Sequence, residues 1–248
     1  MAYPFPYIKI KVYPKTFLKD VRLGFLFEEA TISNALQHRM GEFFEREFGL
    51  ANVEMEEMPK AVSVFSNDQK IRFAFGLSRC ELSIKREAYR SFEEISPLLS
   101  KIYAFIGALG RDRVIRLSFS KYNELGYEAD EERAVADVME GIFSADLMAR
   151  MTKQDRRAQK DLSRWEKIVR VKGNDATNSI FTIEYGFTRK SEGAVESSLT
   201  LKTLIESQCG NIALLDVPKV LIDYNQVLDN AFHWCVSDQV LKAMSKKD

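Results

Sequence analysis

Six basic residues, Arg150, Lys153, Arg157, Lys160, Arg164 and Lys167, recur at alternating steps of three and four. On a helix this spacing gathers every charge into one stripe, with Leu147, Met151, Ala158, Leu162 and Trp165 on another roughly 130° away. Such a stripe, with Arg156 beside it, can neutralise phosphates, so the chemistry it implies is salt-sensitive nucleic-acid binding. The same residues also suit a solvated helix face. Acids gather first (Glu128, Asp130, Glu131, Glu132, Asp137, Glu140 and Asp146 against Arg133 alone) and nine bases follow within 150–172, the order that the helix macrodipole favours. A third reading sets the acidic segment of one subunit against the basic segment of another, which would orient an oligomer.

Other candidate chemistry is weaker in its spacing. His233, Trp234 and Cys235 are consecutive, and neighbours on a helix point about 100° apart, so they cannot converge on one metal ion or form a cysteine-histidine dyad. The second histidine, His38, lies in a different amphipathic segment. Carboxylates at Glu28-Glu29, Glu56-Glu57, Glu93-Glu94 and Asp130-Glu131-Glu132 are adjacent pairs and runs that do not converge by themselves. Glu81, Lys85 and Glu87, with Glu184 and Arg189, alternate in the manner of a charged tunnel in some triphosphate-binding barrels, but Lys9 and Lys11 stand where such a barrel needs glutamates. Arg113, Arg116 and Tyr122-Asn123 form one polar cluster on a strand, with Arg113 on the solvent phase opposite Val114. No phosphate-cradling glycine loop, nucleophile elbow or paired-histidine zinc helix occurs. No metal site and no cofactor are expected, and a non-enzymatic protein is favoured over an enzyme built from scattered carboxylates and arginines.

With 248 residues and 46% hydrophobic content, the chain can bury a full core. Its 36 basic and 36 acidic residues cancel, so no global field drives it to nucleic acid or membrane. Cys80, Cys209 and Cys235 are widely spaced, with no CxxC pair, and read as reduced. The start, MAYPFPYIKIKVYP, has no apolar stretch of signal length, and no run approaches the ~20 apolar residues that span a bilayer. The expected compartment is the cytoplasm.

The elements that must position these residues centre on 61–123. Ile71, Phe73 and Phe75 alternate with Lys70, Arg72 and Ala74, and breaks at Asn67-Asp68 and Ser78-Arg79 suit hairpins, so three antiparallel strands are predicted. Ser91, with Glu94 three residues on, caps a helix whose apolar positions run from Phe92 to Leu109. Val114, Leu117 and Phe119 return the chain to the sheet. Before this block, Tyr7 to Tyr13 and Val21 to Phe27 read as strands, a helix runs from Thr31 or Ser33 through Phe43 to Gly49, and Glu54 to Pro59 reads as an acidic loop. After it, a helical region spans Asp130 to about Lys167, with Ser144 capping its second part. Lys167 to Lys172, Ser179 to Arg189, Glu196 to Ser207 and Val217 to Tyr224 read as strands, and Asp229 to Lys246 as a closing helix. The predicted class is α+β, with antiparallel sheets and helices packed on one face. Two sheet-plus-helix halves, 1–126 and 169–248, would be joined by a charged helical region, 127–168.

Three stretches carry a resemblance: FLKDVRLGFLFEE (17–29); ELSIKREAYRSFEEISPLLSKI (81–102) leading to DRVIRLSFSKYNEL (112–125); and VLDNAFHWCVSDQVLKAM (227–244) with its Ser237-Asp238 step. In them the chain resembles a sporadically distributed family of bacterial proteins of about this length for which no activity is established. The resemblance implies a soluble bacterial α+β protein, and the patchy distribution suits accessory, defence-type or conflict-system loci. The function expected is therefore an interaction component of a bacterial multi-protein assembly, bound to a protein partner or to further copies of itself. Nucleic-acid binding through residues 150–167 is the alternative, and no membrane association is expected.

Overall fold

Alternation along residues 61–127 builds the middle of the molecule. The computed structural model describes residues 3–10, 13–28, 38, 41–43, 45–46, 52–56, 61–66, 68–76, 78–127, 135–152, 163–173, 176–188, 197–208 and 210–246. Nine strands form one antiparallel sheet in the order β2-β3-β4-β5-β1-β7-β10-β9-β8. These are β1 (Leu18–Leu26), β2 (Asn52–Glu56), β3 (Ala61–Phe65), β4 (Ile71–Gly76), β5 (Arg79–Lys85), β7 (Arg116–Tyr127), β8 (Arg164–Lys172), β9 (Ile180–Thr188) and β10 (Ser197–Glu206). Two short strands, β6 (Arg113–Val114) and β11 (Ile212–Ala213), pair separately. The two expected halves share this sheet, because β7 pairs with β1 on one side and with β10 on the other.

Period-two burial sorts the sheet into two faces. On one face Val21, Leu23 and Phe25 of β1 lie beside Lys121, Phe119 and Leu117 of β7, and Ile205, Thr203 and Leu201 of β10 continue the row to Phe181, Ile183 and Tyr185 of β9. Helices cover this face, which makes the fold α+β. Helix α1 (Phe92–Ala108) buries Phe92, Ile95, Leu99, Ile102, Phe105 and Ile106 at helical steps, with Phe92 against Phe119 and Phe105 against Phe75. Each fully buried apolar side chain contributes about 1.5–3 kcal/mol, so the stripe anchors the helix. Phe43, within a helical segment, stacks on Phe105.

Ser91 caps α1 as its spacing predicts, its hydroxyl accepting from the Glu94 amide at 3.3 Å. Ser91→Ala is expected to destabilise the protein by about 1 kcal/mol in urea unfolding. Ser144 likewise caps a short helix. Helix α2 (Val135–Ile142) ends just before it and α3 (Ala145–Met148) follows, with the Ser144 hydroxyl accepting from the Leu147 amide.

Four sequence expectations are corrected. Val217 to Tyr224 is not a strand but the start of helix α4 (Val217–Cys235), whose buried Val217, Leu221, Tyr224 and Leu228 recur at steps of three and four. The closing helix is interrupted: Ser237 accepts from the Val240 amide and starts α5 (Asp238–Ser245). Glu54 to Glu56 belongs to β2 rather than to a loop. Residues 7–10 form no strand, because side chains of α4 take the Ile8 backbone groups: the Ile8 amide donates to Asn230 Oδ1 and Gln226 Nε2 donates to the Ile8 carbonyl. Both cysteines in the described residues, Cys80 and Cys235, are free and buried. No helix among the described residues is long and apolar enough to cross a membrane.

Candidate functional site: an open sheet face and a buried polar cleft

The basic series does not form one helical stripe. Strand β8 begins at Arg164, so Arg164 and Lys167, an odd number of residues apart, project from opposite faces of the sheet. Trp165 forces this outcome. It is an apolar residue that fits the strand phase of Val169 and Val171, and it stacks on Phe187 and meets Tyr185 edge-on across the β8–β9 pair. Arg164 is exposed and 2.6 Å from Glu166, whereas Lys167 is half-buried on the helix side. Arg150 sits in the turn after α3 with its guanidinium 5.5 Å from the Trp234 ring centroid, a cation–π contact. Lys153, Arg157 and Lys160, with Arg156, lie outside the described residues.

The sheet face opposite the helices is largely charged and polar, with Leu26, Leu204 and the exposed Ile168 among its apolar members. From β4 across to β8 it carries Arg72, Arg79 and Glu81, Arg22 and Asp20, Arg116 and Glu124, Lys202 and Glu206, Glu184, then Arg164, Glu166 and Arg170. None of these charged side chains is buried. Many pair across strands or along one: Lys202 with Glu184 at 2.9 Å, Arg22 with Asp20 at 3.1 Å and Arg116 with Glu206 at 3.6 Å. Arg72, which donates to Ser63 at 3.0 Å, borders a shallow hollow over Gly24, Ala74 and Gly76 together with Arg79, Arg116, Glu81 and Glu206. The sheet is open, with β2 and β8 at its two edges, so the alternating charges line a surface and not a barrel tunnel. The expected cluster of Arg113, Arg116, Tyr122 and Asn123 is divided as well. Arg113 is exposed on the small β6–β11 pair, Arg116 and Tyr122 face the open side, and Asn123 is buried under the helices.

A second polar group lies beneath the helices, where α4 leaves the sheet near the start of α1. Lys121 is 9% exposed, and its ammonium donates to Asp229 Oδ1 of α4 at 3.0 Å. Burial alone would lower the Lys121 pKa, but the Tyr89 phenol and the Asp229 carboxylate outweigh it and raise the value above normal. Tyr89 is itself held un-ionised by burial, so at neutral pH the carboxylate supplies the attraction. His233, one turn beyond Asp229, donates from Nδ1 to the Asp229 carbonyl at 2.8 Å and accepts at Nε2 from the Tyr13 hydroxyl at 2.5 Å. The Tyr13 phenol is pushed up by burial and by Asp229, which keeps it a donor.

His233, Trp234 and Cys235 diverge as their spacing requires: His233 joins this cleft, Trp234 packs on Phe5, and Cys235 is buried. Burial pushes the Cys235 thiol far up, away from the reactive thiolate. His38 is exposed, 3.4 Å from Glu42 one turn on. Among the described residues, no three histidine, cysteine or acidic side chains gather to hold a metal. Sequence reading missed Lys121 although the signal was present: Leu117, Phe119, Lys121 and Asn123 share one strand phase, and a lysine on an apolar phase marks a buried charge.

No family model matches this chain, and no curated protein matches it. Among solved structures, a chain described as "KH domains" is similar at a TM-score of 0.23 and 8% identity. The match covers 91% of this chain and 64% of that one, so this chain spans less than two thirds of its length.

Proposed function

We propose that the chain is a non-enzymatic interaction protein that docks a protein partner, as part of a bacterial multi-protein assembly, through the open face of its sheet. The observation that carries this reading is a nine-stranded sheet covered by helices on one face and carrying paired charges of both signs on the other. Eight strand spacings of about 4.8 Å make that face roughly 38 Å wide, enough for an interface of standard size. Mixed charge favours protein over nucleic acid, because Glu81, Glu124, Glu184 and Glu206 would stand among the phosphates. Charges on β8, at the edge, discourage strand addition and favour docking on the face.

The test compares wild type with Arg79→Glu/Arg116→Glu, isolated from the native host at low and at moderate salt. A stoichiometric protein should accompany wild type at moderate salt and be lost with the variant, whose thermal unfolding stays near wild type because both side chains are exposed. Recovery of the same protein with both forms would remove the face from the interaction. Nucleic acid recovered only at low salt would instead favour the basic residues between 150 and 167.

A further inference from the structure

Helix α4 turns one face toward the sheet and leaves the first half of its other face uncovered. Val217, Leu221, Tyr224 and Leu228 are buried. Leu215, in the turn that leads into the helix, is 93% exposed, the most exposed large apolar side chain among the described residues, and Ile222 is 58% exposed. The turn is wound like the helix it precedes: the Asp216 and Val217 amides donate to the Ala213 and Leu214 carbonyls, and Asp216 has right-handed helical backbone angles. Leu215 therefore heads a row with Lys219, Asp223 and Val227 at steps of four, the kind of ridge on which helices pack.

Beside this row runs a groove of about 540 Å³, walled by Tyr3, Ile212, Ala213, Val220, Tyr224 and Val227, with the exposed Lys219 and Asp223 at its rim. The two tyrosine hydroxyls are already engaged, Tyr3 with Ser179 and Tyr224 with Thr177, so these walls present mostly apolar surface. Leu215 is not among the walls of its own groove.

The row is self-complementary. Reversed about a two-fold axis at residue 221, its order of apolar, lysine, aspartate, apolar sets Leu215 against the second copy's Val227 and Lys219 against the second copy's Asp223, and each contact occurs twice. At about 1.5 Å per residue, Leu215 and Val227 both lie about 9 Å along the helix from that axis, so one antiparallel pairing makes all four contacts together. Lys219 and Asp223 form no ion pair among the described residues. A lysine followed four positions later by an acid is also the weaker order for pairing within a helix, which leaves both charges to the other copy.

We propose that α4 is a dimerisation helix. Two copies pair antiparallel about residue 221, the Leu215 side chain of each enters the other's groove beside Val227, and Lys219 and Asp223 join across the axis. A second copy is the occupant because this chain carries the knob, the groove and the matching charges in one register. The surface lies on the helix-covered side of the sheet and is independent of partner docking on the open face.

Sedimentation velocity of the full chain at micromolar concentrations tests the pairing, with a dimer expected. Leu215→Glu should be a monomer that keeps the wild-type far-UV circular dichroism, because the side chain it replaces is exposed. Lys219→Glu and Asp223→Lys each set like charges against one another twice, and each alone should raise the dissociation constant about tenfold. An equimolar mixture of these two variants should dimerise again as a mixed pair, since every charged contact then joins opposite signs. A wild-type monomer at every concentration overturns the proposal. So does a dimer that Leu215→Glu leaves intact, or a mixture that associates no better than its components, because the copies would then meet on another surface or in another orientation.

Discussion

Replacing Gly186 with valine is expected to detach β8 from the sheet. A Cβ at Gly186 would lie 2.9 Å from Glu166 Cα and closer still to the Trp165 carbonyl oxygen. Both are backbone atoms of the neighbouring strand, so no side-chain rotation can relieve the clash. The ladder must open between Glu166 and Gly186, in the middle of the pairing that runs from Arg164↔Thr188 to Lys172↔Ile180. Overpacking a well-filled core costs about 1–3 kcal/mol, and a clash with rigid backbone belongs at or above the top of that range. Hydrogen exchange should show Arg164 to Lys172 losing protection, with the urea midpoint falling. Gly24 provides the control: its Cβ would meet only the Ser118 hydroxyl, at 2.5 Å, which can rotate away. Gly24→Ala should therefore cost under about 1 kcal/mol. A Gly186→Val protein with wild-type protection over β8 would refute the close approach of these strands.

The same strand marks the limit of what the sequence made legible. Strands β3 to β5, helix α1 with its Ser91 cap, and β7 follow from local pattern because each is amphipathic with one buried face. Residues 150–167 satisfied helical spacing just as well, yet Trp165 carries an apolar anchor that only the distant Phe187 and Tyr185 can receive. Nothing local announces that pairing. Val217 to Tyr224 misled in the opposite way, since VPKVLIDY alternates loosely as a strand until Leu228 and Ala231 extend the helical period. Tyr7 to Tyr13 alternates cleanly, but Asn230 and Gln226 of α4, more than 200 residues later, take its backbone bonds. The cleft was invisible for the same reason. Lys121 and Thr203 come together through the β7–β10 register and Asn225 through the packing of α4 on the sheet, so the sequence offered a lysine on an apolar phase and no indication of its neighbours.

Breaking the Lys121–Asp229 pair from one side should produce the second large effect. Lys121→Met leaves the carboxylate beneath the helices without its cation, and losing one member of a buried pair costs about 3–5 kcal/mol. The Asp229 side chain keeps 20% exposure, so a loss nearer 2–3 kcal/mol is expected from denaturant unfolding at neutral pH. Lys121→Met/Asp229→Asn should recover most of it, because no unpaired charge remains. Alkaline pH supplies an independent readout. A raised folded-state pKa means that Lys121 stabilises the protein fully below its unfolded value of about 10.4 and less as pH climbs through the folded value. Burial raises Cys80, Cys235, Tyr89 and Tyr103 too, and each of these acids keeps its proton longer folded than unfolded. Their contributions are therefore lost above about pH 8.5 for the thiols and about pH 10 for the phenols. Wild-type stability should decline from about pH 9 upward and steepen past pH 10, whereas Lys121→Met should start lower and fall less steeply in the upper part of that range. Parallel curves for the two proteins would mean that the ammonium gains nothing from Asp229 on folding, and the pair would then be incidental to both the stability and the cleft.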